Sequence, residues 1–221
     1  MSTIAPPDIV YLNRCAAGCT VKFGGDDAIN GFSSLVPGTT ALAAFPHSDA
    51  VFDATAACVR TVLAPYNIQV RIADPGTLPR REIMLSTTSQ QIGLPSGIAA
   101  DAPLDGHPHD NAIAFVFATV AGPSVDNLCW DAAQTIGNLY GLDIVTYCPD
   151  IMSYSTGCGT KSFTTQNATC LGTVSGVAGV CALGNTAQNS AAVLITAPGP
   201  TDILFENGVE NFQVPASGPS P

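Results

Sequence analysis

Positive charge is scarce in this chain. Seven lysines and arginines stand against 17 aspartates and glutamates, a formal net charge of −10 over 221 residues. Nucleic acid and anionic membrane surfaces are bound through positive patches, so the balance argues against both as partners. Long apolar runs are missing too: none approaches the ~18 residues of a membrane-spanning helix, and no membrane insertion is expected. The opening residues MSTIAPPDIVYL lack a basic stretch followed by an apolar one, so they do not read as an export signal. Histidine occurs only at His47, His107 and His109, and there is neither a GxSxG elbow nor a CxxC pair.

What is present describes a folded, oxidised protein. Apolar residues make up 46% of the chain and charged ones 11%, a composition that buries a core rather than staying disordered. Eight cysteines, an even number, fit an oxidising compartment. The expectation is therefore a secreted or periplasmic protein whose export signal has been removed. Thiols bound to metal in the cytosol are the alternative, but Cys15 and Cys19 are spaced CxxxC with no histidine nearby. Eight cysteines allow roughly 105 pairings, so sequence alone does not fix the connectivity. Local closure suggests Cys15–Cys19, Cys148–Cys158 and Cys170–Cys181, which leaves Cys58 and Cys129, one on each major helix.

Periodicity places the elements. Ile9–Leu12 and Thr20–Phe23 are short β-prone runs, strands or a hairpin around the CAAGC turn. Ser48 is placed to cap a helix over Asp49–Ala64, whose apolar positions recur at helical spacing until Pro65 stops it. Ile68, Val70 and Ile72 alternate with polar residues as in a half-buried strand, and Glu82–Ser86 reads as another. Residues 87–111 are dense in Gly, Pro and Asp and read as a long surface loop. Ala112–Thr119 is a strand covered on at least one face. Asp126 or Asn127 is placed to cap a helix ending near Tyr140, with Gly141 as its stop. A cysteine-rich stretch comes next, then a final helix near Thr186–Ile195. The order predicts an α/β sandwich: 1–141 as a sheet-and-helix portion, 142–198 as a loop-rich, disulfide-tied C-terminal portion, and 199–221 as a loosely held tail.

Two segments carry the chemistry. Residues 134–144 read QTIGNLYGLDI, and residues 148–154 read CPDIMSY. On the helix, Leu128, Ala132, Ile136 and Leu139 form an apolar stripe. Asp131, Gln134, Thr135 and Asn138 lie at i, i+3, i+4 and i+7 and share a polar face. Taken alone, that face is a solvated helix surface.

Together with IVYLNRC, the DAVFDATAACVRTVLAPY helix, the AIAFVFA strand and TAQNSAAVLI, these segments occur in metzincin order. Over roughly residues 8–198 the chain resembles secreted bacterial, matrixin-like zinc metallopeptidases of that clan. The resemblance implies a zincin fold: a twisted, mostly parallel sheet, two long helices and a cleft. It also implies a Met-turn at Met152 flooring the metal and Gly141 turning the chain toward a third ligand. The zinc expected of such a family has no ligands here. HExxHxxGxxH requires histidine at 134, 138 and 144 and glutamate at 135, where this chain has Gln134, Asn138, Ile144 and Thr135. Carboxamide oxygens are poor zinc donors beside imidazole, isoleucine offers nothing, and threonine cannot take a proton from water near neutrality. Tyr154 stands where some metzincins approach the metal or the oxyanion; without metal it is expected to pack beneath the loop.

The leading expectation is therefore a catalytically inactive pseudoprotease without cofactor that binds a peptide or protein partner. Its cleft candidates are Asp131, Gln134, Thr135, Asn138 and Tyr154. Two alternatives stay open. One is a hydrolase whose metal has moved to His107 and His109, with Asp101 and Asp105 contributing oxygens; the other is a purely structural extracellular domain. His47 reads as a surface residue. Asp126, Asp131, Asp143 and Asp150 read as helix caps and solubilising charge, and Asn167-Ala168-Thr169 fits a glycosylation sequon. Oligomeric state is not legible.

Overall fold

In the computed structural model, which describes residues 6–86 and 88–198, the chain is a mixed α/β protein with a mostly parallel central sheet and four helices. β1 (Asp8–Asn13) opens the central sheet. The next three strands, β2 (Cys19–Phe23), β3 (Phe32–Ser33) and β4 (Thr40–Leu42), form a small sheet of their own. α1 (Asp49–Leu63) then leads to β5 (Ile68–Arg71) and β6 (Arg81–Ser86). A 3-10 turn over Ser89–Ile92 precedes β7 (Ala100–Asp101), β8 (Ile113–Phe117), the short α2 (Ala118–Ala121) and α3 (Val125–Leu139). Last come β9 (Ala168–Thr169) and β10 (Ala187–Gln188), paired antiparallel, and α4 (Ser190–Thr196).

The central sheet runs β5-β1-β6-β8-β7. The first four strands are parallel, and β7 closes one edge antiparallel to β8. Parallel neighbours need a crossover, and α1 supplies the one between β1 and β5. Side chains alternate between the two faces of the strands. Ile83, Leu85, Ala114 and Val116 join Val10 and Leu12 under the helices. Met84, Ile113, Phe115 and Phe117 point the other way and are covered by Val21, Val36, Leu42 and Ile92. β8 is thus buried on both faces, which is why its sequence reads as an unbroken apolar run.

Helix ends obey capping chemistry. Ser48 accepts a hydrogen bond from the Val51 amide at the start of α1. The cap of α3 is Ser124, which accepts from the Asn127 amide, rather than Asp126 or Asn127; Asp126 instead lies in the first turn, where the helix dipole favours its charge. α1 and α3 pack side by side on the sheet and are joined by Cys58–Cys129. The other bridges are Cys15–Cys19, Cys148–Cys158 and Cys170–Cys181, so all eight cysteines pair as local closure suggests. Leu142, Ile144, Val145, Ile151, Met152, Phe163 and Leu194 belong to the same apolar core as Val10 and Phe52, so residues on both sides of Gly141 share one core.

Three expectations are corrected. Ile9–Leu12 and Thr20–Phe23 do not form a hairpin, because β1 and β2 lie in different sheets and the Cys15–Cys19 bridge clasps the turn between them. The segment expected as an unbroken loop contains the 3-10 turn and β7. The final helix starts at Ser190 rather than Thr186, since Ala187 and Gln188 pair with β9 and Asn189 caps α4 through the Ala192 amide. The tail over 199–221 lies outside the described residues.

Candidate functional site

A cleft of about 670 Å³ opens between α3, the edge strand β7 with the residues before it, and the chain around Ile151–Thr156. Asp131, Gln134, Thr135, Asn138 and Tyr154 all line it. So do four residues that sequence reasoning did not place there: Trp130, Lys161, Ile98 and Val120. Asp101, which the sequence grouped with the histidines, also faces the cleft. Trp130 was readable in principle as the helical neighbour of Asp131; Lys161 has no local signal, because it reaches the site through the fold alone.

The floor is not a solvated helix face. Thr135 is only 1% exposed, and its hydroxyl donates back to the Asp131 and Ala132 carbonyls at 3.1 and 2.8 Å. Gln134 Nε2 donates to the Ile151 carbonyl at 2.9 Å, which ties α3 to the turn; its amide oxygen has no hydrogen bond among the described residues. Asn138 is 8% exposed, and its Oδ1 is buried with no hydrogen-bond partner. The Lys161 Nζ donates to the Ser153 carbonyl and sits 5.7 Å from the Trp130 ring centroid. Burial pushes the Lys161 pKa below the usual lysine range, against the pull of Asp131 and Asp150. Tyr154 does not pack beneath the loop; it is 59% exposed at the cleft rim.

Asp131 is the unusual group. No side-chain hydrogen bond or ion pair reaches its carboxylate among the described residues, and burial raises its pKa from 3.8 to about 6, with Lys161 opposing. The native state therefore holds the proton more tightly than the unfolded chain does. Stability from this group is fully present below about pH 4, is lost as the pH rises through about 6, and stays lower above. Asp131→Asn removes that penalty. Urea unfolding should show the variant about 1–2 kcal/mol more stable than the parent at pH 7.5 and equal to it near pH 4, the full two-unit value being reduced by residual solvent contact. Equal stability at pH 7.5 contradicts this account.

The residues at the positions where the resemblance places zinc ligands do not fit the metal. Gln134 spends its nitrogen on Ile151, Thr135 its hydroxyl on the helix backbone, and neither oxygen type matches imidazole as a zinc donor. Ile144 is not in the cleft at all: it is 1% exposed in the core, and its carbonyl accepts the Leu171 amide. Gly141 turns the chain as expected, with φ +83°, and a Cβ there would come within 2.7 Å of the Gly106 carbonyl oxygen. Met152 is fully buried beneath α3, its sulfur lying 2.5 Å from where a Cβ on Gly137 would be; it does not line the cleft.

Other candidates part company. Asp105 Oδ1 accepts from the His107 backbone amide at 2.8 Å and pairs with His109 Nε2 at 3.0 Å, while Asp101 lies away in β7. The relocated metal centre is not assembled: among the described residues, no three His, Cys, Asp or Glu side chains gather closely enough to hold an ion. His47 is half-buried rather than a surface residue, bonded through Nε2 to the Ala118 carbonyl. Asp143 and Asp150 are not solubilising charges. Asp143 is 1% exposed and accepts from the Ile144 and Ala182 amides; Asp150 is wholly buried. No protein-family model matches this chain, and no curated protein matches it significantly.

Proposed function

We propose that this protein is a catalytically inactive, metzincin-like scaffold, secreted or periplasmic, that binds a peptide or an extended segment of a protein in its cleft. The observation that carries the reading is the cleft itself, which joins an edge strand to a polar floor from which the groups of zinc-dependent hydrolysis are missing. At the rim, Ile98, Val120 and Tyr154 expose apolar surface, which a soluble chain keeps in a concave site chiefly for a partner. β7 ends the sheet, and among the described residues no strand pairs with its outer side, the place where an extended peptide would add. Four disulfides accord with an oxidising compartment.

Two measurements test the reading together. Elemental analysis of protein purified without chelator should find no stoichiometric zinc, and a mixed-peptide cleavage screen no activity that a chelator abolishes. Trp130, the chain's single tryptophan, lines the cleft, so its fluorescence should change saturably on titration with a peptide library. Stoichiometric zinc with chelator-sensitive cleavage would falsify the proposal.

A further inference from the structure

The cleft floor presents unpaired hydrogen-bond acceptors. Asp131, Gln134 and Asn138 all rise from α3 within two turns. Among the described residues no donor meets the Asp131 carboxylate, and Gln134 keeps only its amide oxygen; the Asn138 oxygen is also unpartnered but is closed off from the cleft. Two of the donors close by are engaged elsewhere. Thr135 bonds the helix backbone, and Lys161 bonds the Ser153 carbonyl without reaching ion-pair distance of Asp131. A carboxylate left unpaired in a partly closed cleft favours a ligand that brings N–H groups. Charge selects among such ligands. Asp101 on β7 and Asp131 on α3 face the cleft against one cation, Lys161; Tyr154 at the rim is neutral, and none of the three histidines lines the site. A net charge of −10 draws cations toward the molecule as a whole.

We propose that the floor formed by Asp131 and Gln134 is a subsite for a basic side chain, lysine or arginine, of the bound peptide. It rests on the peptide-binding reading above. The ammonium or guanidinium sits against the Asp131 carboxylate, one of its remaining N–H groups meets the Gln134 amide oxygen, and the aliphatic stem lies along Trp130. A charge-assisted bond to a half-buried carboxylate is stronger than a neutral one. Because burial holds the Asp131 pKa near 6, the subsite keeps its charge at neutral pH and loses it in mild acid.

Trp130 fluorescence tests this with four N-acetylated, C-amidated octa-alanine peptides carrying Lys, Arg, Met or Glu at a central position. At pH 7.5 the Lys and Arg peptides should bind about tenfold more tightly than the Met peptide, and the Glu peptide more weakly still. That preference should vanish at pH 5. Asp131→Asn, folded by its thermal transition, should bind Lys and Met peptides alike, and Gln134→Lys should turn the preference toward Glu. Lys and Met peptides binding equally to the parent protein, or a preference unchanged in Asp131→Asn, overturns the subsite while leaving peptide binding standing. Failure of all four peptides to bind overturns the subsite and the peptide-binding reading together.

Discussion

Replacing Cys58 and Cys129 together with alanine should lower stability by about 4 kcal/mol in urea unfolding under non-reducing conditions. The bridge spans 71 residues of sequence, and closing a loop of that size removes about 4 kcal/mol of chain entropy from the unfolded state. Cys15–Cys19 spans only 4 residues, so its removal should cost about half as much. Alanine is the right replacement because Cys129 is fully buried, and a serine hydroxyl there would lack a partner. The bridge also matters for the cleft. Cys129 immediately precedes Trp130 and Asp131, so the bond to α1 holds the stretch of α3 that presents them. The variant should therefore shift the Trp130 emission before global unfolding begins. A loss below about 1 kcal/mol would mean that α1 and α3 hold together through packing alone.

The two long helices were legible because their signals are local. Ser48, the apolar spacing and Pro65 bracket α1 within one stretch of chain. The spacing of Asp131, Gln134, Thr135 and Asn138 likewise showed that they share one side of α3. How deeply they lie was not legible. Thr135 and Asn138 are buried by what covers the helix, and a helical period carries no information about the opposing elements. β7 was hidden for a similar reason: two residues in a stretch dense in Gly, Pro and Asp become a strand only because β8 is there to pair with. The cap of α3 was missed because Ser124, Asp126 and Asn127 are all good capping residues within four positions. Asp143 and Asp150 look like surface charge in sequence, and only tertiary structure brings amides to their oxygens. Sequence did not fix the disulfide connectivity, but local closure suggested the pairs found, because three are close in sequence and one was left over.

Asp150→Ala should be the most damaging single substitution in the C-terminal portion, with a loss of about 3–5 kcal/mol. Asp150 is wholly buried, and each of its oxygens is occupied: Oδ1 accepts from the Met152 amide at 2.9 Å, while Oδ2 accepts from the Thr164 amide at 3.2 Å and its hydroxyl at 2.7 Å. Hydrogen bonds to a charged acceptor contribute about 1.5–3 kcal/mol each, and truncation leaves buried donors unmet. Asp150→Asn separates these effects. It keeps one oxygen for Met152 but places an amide nitrogen against the Thr164 N–H, so about half the loss should remain. The consequence reaches the cleft through three consecutive residues. Ile151 accepts from Gln134, Met152 fills the space beneath Gly137, and Ser153 accepts from Lys161. Asp150 also helps offset the buried charge of Lys161, so its removal weakens the hold on that ammonium as well as on the turn. With Lys161 released, its N–H groups are free to meet Asp131, and the basic-peptide preference should fall even at pH 7.5 and at temperatures where the variant stays folded. A stability loss under about 1 kcal/mol, or a peptide preference unchanged in the folded variant, would show that the turn holds its shape without this carboxylate.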